Sequence, residues 1–262
     1  MSEEELPAAL RRDRISALIR ERGFVRVAEL SRIFRTSPVT IRSDLDQLER
    51  LDLVRRVHGG AISTSGASVG AGGASIDPKA ETKSSIGAVA ASIVKSGQTL
   101  VLGSGSTTQA VARALVQRDD LASLTVITNG LQIAVELQPA VPRISVIMTG
   151  GTLRADAPTL VDPLADNIIR NISADISIVG CKGISIEHGV GDDHIPGVAL
   201  SRALLAVGRH RVVVADSTKV GVGSVARFWD AEDVDLLITE ERSDATVLSE
   251  LRDAGVKIET IR

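Results

Sequence analysis

The sequence predicts an α/β chain in two parts: a small helical module closed by a two-stranded hairpin, and a larger body built on a parallel sheet. Three observations carry that reading. The first 62 residues hold amphipathic helical patterns followed by one run alternating apolar and basic residues. Residues 63–78 form a Gly/Ser/Ala stretch with no pattern able to bury a face, the composition of a flexible linker. From residue 79 onward, short Val/Ile-rich runs alternate with helical patterns, as in parallel strands covered by helices on both faces. The expected domains are therefore 1–62, a 63–78 linker and 79–262.

The amino-terminal elements follow in order. Leu10, Ile15, Leu18 and Ile19 give a first helix over 7–22, with Arg11, Arg12 and Arg14 near its start and Gly23 stopping it. Phe24–Val27 can form a short strand, and Val27–Phe34 a short amphipathic helix ending in a three-residue turn. Ser37 then suits a helix cap and Pro38 the first helical position, where its missing N–H costs nothing. Within that helix Ile41, Leu45 and Leu48 make one buried stripe, while Val39 and Ser43 point the opposite way, flanked by Thr40 and Arg42. Two short helices so joined form a helix-turn-helix, and an exposed first turn bearing Thr, Arg and Ser is what a DNA-reading helix offers a major groove. Leu53–Ile62 alternates apolar and basic residues and turns at Gly59-Gly60, a β-hairpin wing. The candidate DNA-contacting residues are Arg35, Ser37, Val39, Thr40, Arg42, Ser43, Arg55, Arg56 and His58. Of these, Thr40, Arg42 and Ser43 would read bases, while Arg35, Arg55, Arg56 and His58 would hold phosphates.

In the body, a helix restarts between Lys79 and Val94 on Ile86, Val89, Ala90 and Ile93. Apolar runs at 99–102, 124–127, 144–148, 175–179, 211–215 and 235–238 read as strands, separated by helices near 107–117, 130–138, 159–170, 197–207 and 244–254. Ligands on parallel sheets bind beyond the carboxyl ends of the strands. Four such ends carry polar turns. Gly103-Ser104-Gly105-Ser106-Thr107-Thr108 opens a helix with small residues that let a phosphate approach backbone N–H groups. Thr128-Asn129 forms the second end, and Gly150-Gly151-Thr152-Leu153-Arg154 the third, its Arg154 able to pair an anion. At the fourth, Asp216-Ser217-Thr218-Lys219, Asp216 could accept sugar hydroxyls and Lys219 could meet phosphate. The candidate ligand set is thus Gly103, Ser104, Gly105, Ser106, Thr107, Thr108, Thr128, Asn129, Gly151, Arg154, Asp216 and Lys219.

Charge separates the two parts. Residues 1–62 hold twelve Arg, no Lys and ten acidic residues, a net of +2, while the other 200 hold 18 basic and 23 acidic residues, a net of −5. A basic, all-Arg amino end on an acidic body suggests one part for a polyanion and one for something else. With a single cysteine, Cys181, no intrachain disulfide can form, and the thiol reads as a small buried side chain. No apolar run reaches the ~18 residues that span a membrane, and the amino terminus lacks a signal-peptide apolar region. A cytoplasmic, membrane-free protein is expected. His188, Asp192, Asp193 and His194 make the one metal-like cluster, but their spacing fits no familiar site and the segment reads as a Gly-rich solvated loop. No cofactor or metal is expected.

Thr40-Ile41-Arg42-Ser43-Asp44-Leu45 and Arg56-Val57-His58-Gly59-Gly60-Ala61, at this separation after two helices, resemble the DeoR family of bacterial transcriptional regulators. The four polar turns, in this order, resemble that family's effector domain, whose fold is similar to ribose-5-phosphate isomerase. The resemblance implies a transcriptional regulator, usually a repressor of carbohydrate catabolism genes, bound to an operator and released by a phosphorylated sugar. It also implies a homo-oligomer, dimer or tetramer, joined through the effector domain. This chain departs from many members at three places: Ser43 stands where a second basic residue is common, Gly103 where Asp is common, and Asp162 where Gly is common. Two other readings exist. An isomerase-like enzyme would need a carboxylate base, and Val179-Gly180-Cys181-Lys182-Gly183 has none in the turn where the isomerases carry theirs. A non-specific architectural protein would have no need of a sugar-sized pocket.

Overall fold

Contacts divide the chain into two units, Met1–Pro78 and Lys79–Arg262. The computed structural model describes residues 7–22, 24–50, 53–57, 59–63, 79–161 and 163–262. Gly23, His58, the linker stretch 64–78 and Asp162 lie outside the described residues, as does the side chain of Arg55.

The first unit comprises α1 (Ala8–Arg22), β1 (Phe24–Arg26), α2 (Val27–Ile33), α3 (Pro38–Arg50), β2 (Val54–Val57) and β3 (Gly60–Ser63). The strands form an antiparallel sheet in the order β1-β3-β2, with Ala61 facing Val25 on one side and Arg56 on the other. The hairpin therefore runs one residue into the expected linker. Ile15, Ile19, Val25, Leu30, Ile41, Leu45, Leu48 and Val54 close the core, each removed from water and worth roughly 1.5–3 kcal/mol.

One expected core residue is absent from it. Leu10 is half exposed, and Arg11 is buried in its stead. The helical wheel explains the exchange: Leu10 precedes Ile15 by five residues, roughly 140° away, whereas Arg11 precedes it by four and shares its stripe. The Arg11 guanidinium donates to the buried Asp44 carboxylate of α3 at 2.7 Å, so an ion pair fills the end of an apolar stripe.

The second unit begins with α4 (Ala80–Ser92), β4 (Thr99–Leu102), α5 (Ser106–Val116), β5 (Leu124–Thr128), α6 (Leu131–Leu137) and β6 (Ile144–Met148). A short hairpin, β7 (Thr152–Leu153) with β8 (Leu160–Val161), precedes α7 (Pro163–Arg170) and β9 (Ala174–Gly180). Next come β10 (Gly183–Ser185), β11 (Gly189–Asp192), α8 (Ile195–Ala206) and β12 (Gly208–Val214). The unit ends with β13 (Ala226–Trp229), β14 (Leu236–Glu240), α9 (Ala245–Asp253) and β15 (Lys257–Ile261).

Seven parallel strands form the main sheet in the order β15-β14-β12-β9-β4-β5-β6. Strand period two sends alternate residues to opposite faces. Leu100, Leu102, Ile178, Val212, Val214 and Ile238 pack with α4, α5 and α6, while Val101, Val179, Val213 and Leu237 pack with α7, α8 and α9. Helices α4 and α5 cross closely because Gly87 has no side chain; a Cβ there would stand 2.6 Å from the Ala110 carbonyl carbon.

Three expectations change. β15 joins the six expected strands; its half-exposed, polar sequence Lys-Ile-Glu-Thr-Ile hid it. The helix expected at 159–170 starts only at Pro163, because residues 160–161 pair with 152–153 and Pro suits a first helical position. The Gly-rich segment at 183–192 is also strand, since β10, β11 and β13 form a second, antiparallel sheet. Its glycines serve close approach: a Cβ on Gly183 would collide with the Val222 carbonyl oxygen.

Candidate DNA-binding and effector sites

The helix-turn-helix is built as its residues direct. Ser37 Oγ accepts the Thr40 N–H at 3.1 Å, capping α3, and Pro38 occupies its first turn. The preceding turn is closed by the Ser31 hydroxyl, which donates to the Thr36 carbonyl, and by the Thr36 N–H, which donates to the Ser31 carbonyl at 3.1 Å. Arg35 holds a left-handed φ of 48° in that turn, a conformation that costs a side-chain-bearing residue on the order of 1 kcal/mol. With Ile41, Leu45 and Leu48 facing the core, Val39, Arg42 and Ser43 are left exposed and Thr40 half-buried.

The wing is fastened to α3. The Arg56 backbone N–H donates to Glu49 Oε1 at 2.7 Å, and its guanidinium pairs with Asp46. Arg56 thus has a holding role that its place in an alternating strand did not disclose.

In the second unit, β4 is where the chain reverses direction across the sheet: β5 and β6 lie to one side, and β9 returns on the other. Such a switch point leaves a crevice at the strand ends. A cleft of about 470 Å³, open solvent included, lies there. Gly103, Ser104, Asn129 and Arg154 line it among the expected ligand residues.

Asn129 ties this corner together. Its Oδ1 accepts the Ser104 N–H at 2.9 Å and its Nδ2 donates to the Leu160 carbonyl at 3.2 Å, joining the β4 turn to β8. Gly105 is the residue before α5, at φ 151° and ψ 161°, a region open essentially to glycine alone. No side chain caps α5, so the first-turn amides that a helix leaves without an internal acceptor carry no such partner. Arg154, largely buried, is held by a two-pronged ion pair to Asp156, with bonds of 2.9 and 2.6 Å. The Arg154 hydrogen bonds hold the exposed Asp156 carboxyl below its usual range.

Other expected ligand residues have structural duties. The Thr108 hydroxyl is buried and donates to the Gly105 carbonyl at 3.0 Å, and Thr128 Oγ1, also buried, accepts the Gly130 N–H at 3.0 Å. Thr107 is buried and Ser106 exposed in the same turn of α5. Gly151 allows the β7–β8 hairpin to close, since a Cβ there would stand 2.5 Å from the Val161 carbonyl oxygen.

Asp216 and Lys219 follow β12, on the far side of β9 from β4, and neither lines the cleft. The Asp216 carboxylate pairs with Lys79 and accepts the Thr218 N–H at 3.1 Å. Burial alone would raise its pKa; the bonds from Lys79 and Thr218 outweigh that and lower it. Glu240, on the next strand, is likewise lowered despite burial, through the Ser217 N–H at 2.7 Å and Arg242.

The cleft lining also includes Asp192, His194, Gly197 and Ser201, of which the sequence marked only Asp192 and His194, as part of a metal-like cluster in a loop. Asp192 ends β11 and its Oδ1 accepts the His194 N–H at 2.9 Å. The expected metal-like cluster is dispersed: Asp193 accepts the Val225 N–H at 3.1 Å, and His188 lies against Gly223. Among the described residues no three His, Cys, Asp or Glu side chains gather where they could hold a metal ion. Burial pushes the Cys181 thiol up to about 12, so it stays protonated and packs as an apolar group. Nor is any described helix long and apolar enough to cross a membrane.

Comparison with known proteins matches both units. The model for the DeoR-like helix-turn-helix domain covers residues 11–66, and that for the DeoR C-terminal sensor domain covers residues 78–241. The chain is 37% identical to the HTH-type transcriptional regulator GolR of Listeria innocua over 95% of this chain and 96% of that one. It is 31% identical to a glycerol-3-phosphate regulon repressor of Haemophilus influenzae, over 91% and 92% respectively. Among solved structures, ribose 5-phosphate isomerase A of Methanocaldococcus jannaschii aligns over 54% of each chain with 16% identity and a TM-score of 0.39. With both of its domains matched and relatives of this similarity named as regulators and repressors, the chain belongs to the DeoR family of transcriptional regulators.

Proposed function

We propose that the protein is a cytoplasmic, sequence-specific repressor that leaves its operator when a phosphorylated sugar fills the cleft at the β4 switch point. Thr40, Arg42 and Ser43 read base edges with Val39 against the groove. Arg35, Ser37, Arg55, Arg56 and His58 hold the backbone. The observation that carries the sensing half is the composition of the cleft. A guanidinium, Arg154, brings cationic character to a crevice that Ser104 and Asn129 line with polar groups, and the uncapped start of α5 follows directly on Gly103-Ser104-Gly105 in the chain, which suits a phosphate. The relative named as a glycerol-3-phosphate regulon repressor supports a small phosphorylated polyol as effector.

The effector shifts the equilibrium only by binding the DNA-releasing form more tightly than the DNA-bound form. Coupling runs through the geometry of a homo-oligomer that spaces paired helix-turn-helix units on repeated half-sites.

The test is anisotropy of the full-length protein on its own upstream region and on random duplex, at one fixed salt concentration. It is then repeated with a panel of pentose and hexose phosphates and glycerol 3-phosphate. A preference for the upstream region that one phosphosugar abolishes is the expected outcome. Equal affinity for both duplexes sinks the repressor, and indifference to every phosphosugar sinks the sensor.

A further inference from the structure

Among the described residues, one buried side-chain nitrogen or oxygen has no hydrogen-bond partner: His194 Nδ1. A buried polar atom left unpaired costs on the order of 1–3 kcal/mol, so its position in the cleft is informative. His194 lines the cleft together with Asp192, Ser104, Asn129 and Arg154.

Two features of the chain aim the ring. Asp192 accepts the His194 backbone N–H, fixing the main chain where β11 hands over to α8. Gly197, one turn on, leaves room for the imidazole to fold back over the helix; a Cβ there would stand 2.7 Å from Nδ1. Gly197 has ordinary helical backbone, so its missing side chain is needed for this space and not for its dihedral angles.

We infer that His194 and Asp192 form the hydroxyl-recognising wall of the cleft and so select which phosphosugar acts. The reading rests on the sensor function proposed above and adds to it the half of the site that discriminates among sugars. The chemistry divides the cleft. Arg154 supplies the anion end, whereas the Asp192 carboxylate repels phosphate and suits hydroxyl groups, which both donate and accept. An imidazole nitrogen takes one such hydroxyl and gains the partner it lacks. Asp192 takes a neighbouring one.

The experiment is calorimetric titration of full-length wild type, His194→Ala and Gly197→Ala with the phosphosugar panel and, separately, with inorganic phosphate. Gly197→Ala keeps the imidazole and favours the helix, yet displaces the ring, so it guards against a simple folding defect; thermal melting of each variant completes that control. Both variants should bind the wild type's preferred phosphosugar about tenfold more weakly, as expected for one lost hydrogen bond, with inorganic phosphate unaffected. Unchanged phosphosugar affinity in both variants overturns the inference. So does an equal loss for inorganic phosphate, which would put His194 at the anion end. Failure of the wild type to bind any phosphosugar instead removes the sensor reading on which the inference stands.

Discussion

The two units place their ion pairs differently. In the helix-turn-helix unit a buried salt bridge, Arg11–Asp44, is part of the core, and a second pair, Arg56 with Asp46, straps the wing to α3. In the sensor unit both faces of the central sheet are covered by aliphatic side chains, and the polar groups gather at strand ends, in turns opened by glycines. The small unit has a core of about ten residues and uses ion pairs to fix helices that its apolar area secures only weakly. The large unit has apolar area to spare, so its polar residues are free to shape a crevice. A charge in the first unit can therefore be a brace, while one at the sensor's strand ends must be sorted by strand order.

The strongest way to break this contrast is Asp44→Ala, which removes the carboxylate that Arg11 donates to in the core. It should cost about 3–5 kcal/mol, enough to unfold the amino-terminal unit. Calorimetry should show that transition lost or lowered and operator binding abolished, with the sensor transition unmoved. Survival of DNA binding would mean the pair is dispensable.

Arg42→Ala sharpens the contrast from the exposed side. It should lower the ratio of operator to random-duplex affinity by about 1–3 kcal/mol if Arg42 pairs a guanine, without changing the melting temperature. Gly105→Ala addresses the sensor alone. Forcing a Cβ into a glycine-only conformation should cost about 1–3 kcal/mol and blunt the phosphosugar response, with operator affinity retained in its absence. Arg56→Ala should have a smaller effect, weakening all duplexes alike by about 1 kcal/mol or less; if instead Asp46→Ala has the same consequence, bracing of the wing outweighs contact with phosphate.

The subtlest expected effect is on pH. Asp216 and Glu240 have folded pKa values below their ordinary 3.8 and 4.5. A depressed carboxyl contributes stability that is fully present above its ordinary value and is lost as pH falls through the folded one. The sensor's melting temperature should therefore hold near neutrality and decline below about pH 4. Lys79→Ala should remove part of that decline by releasing Asp216, and an unchanged profile would show that Lys79 does not hold it.

Much of the fold was legible because its signals are local. Ser37-Pro38 marks a helix start, the spacing of Ile41, Leu45 and Leu48 gives its buried face, and six aliphatic runs announce six of the seven strands. β15 escaped because an edge strand needs little apolar character, and β10 and β11 escaped because their glycines resemble a loop until a partner strand is placed against them. A smaller part of the cleft was legible for the same reason: Ser104, Asn129 and Arg154 each sit in a turn that ends a strand.

By itself the sequence determined the two-part organisation, the helix-turn-helix and the strand-and-helix alternation, since each depends on residues only a few positions apart. Tertiary structure alone decided that β9 returns beside β4, and with it which turns share a crevice. It brought His194 and Asp192 to the cleft that Arg154 lines, set Asp216 against Lys79, and buried Arg11 against Asp44. Each of these joins residues more than thirty positions apart, and such neighbours follow from strand order and helix packing, which no local pattern encodes.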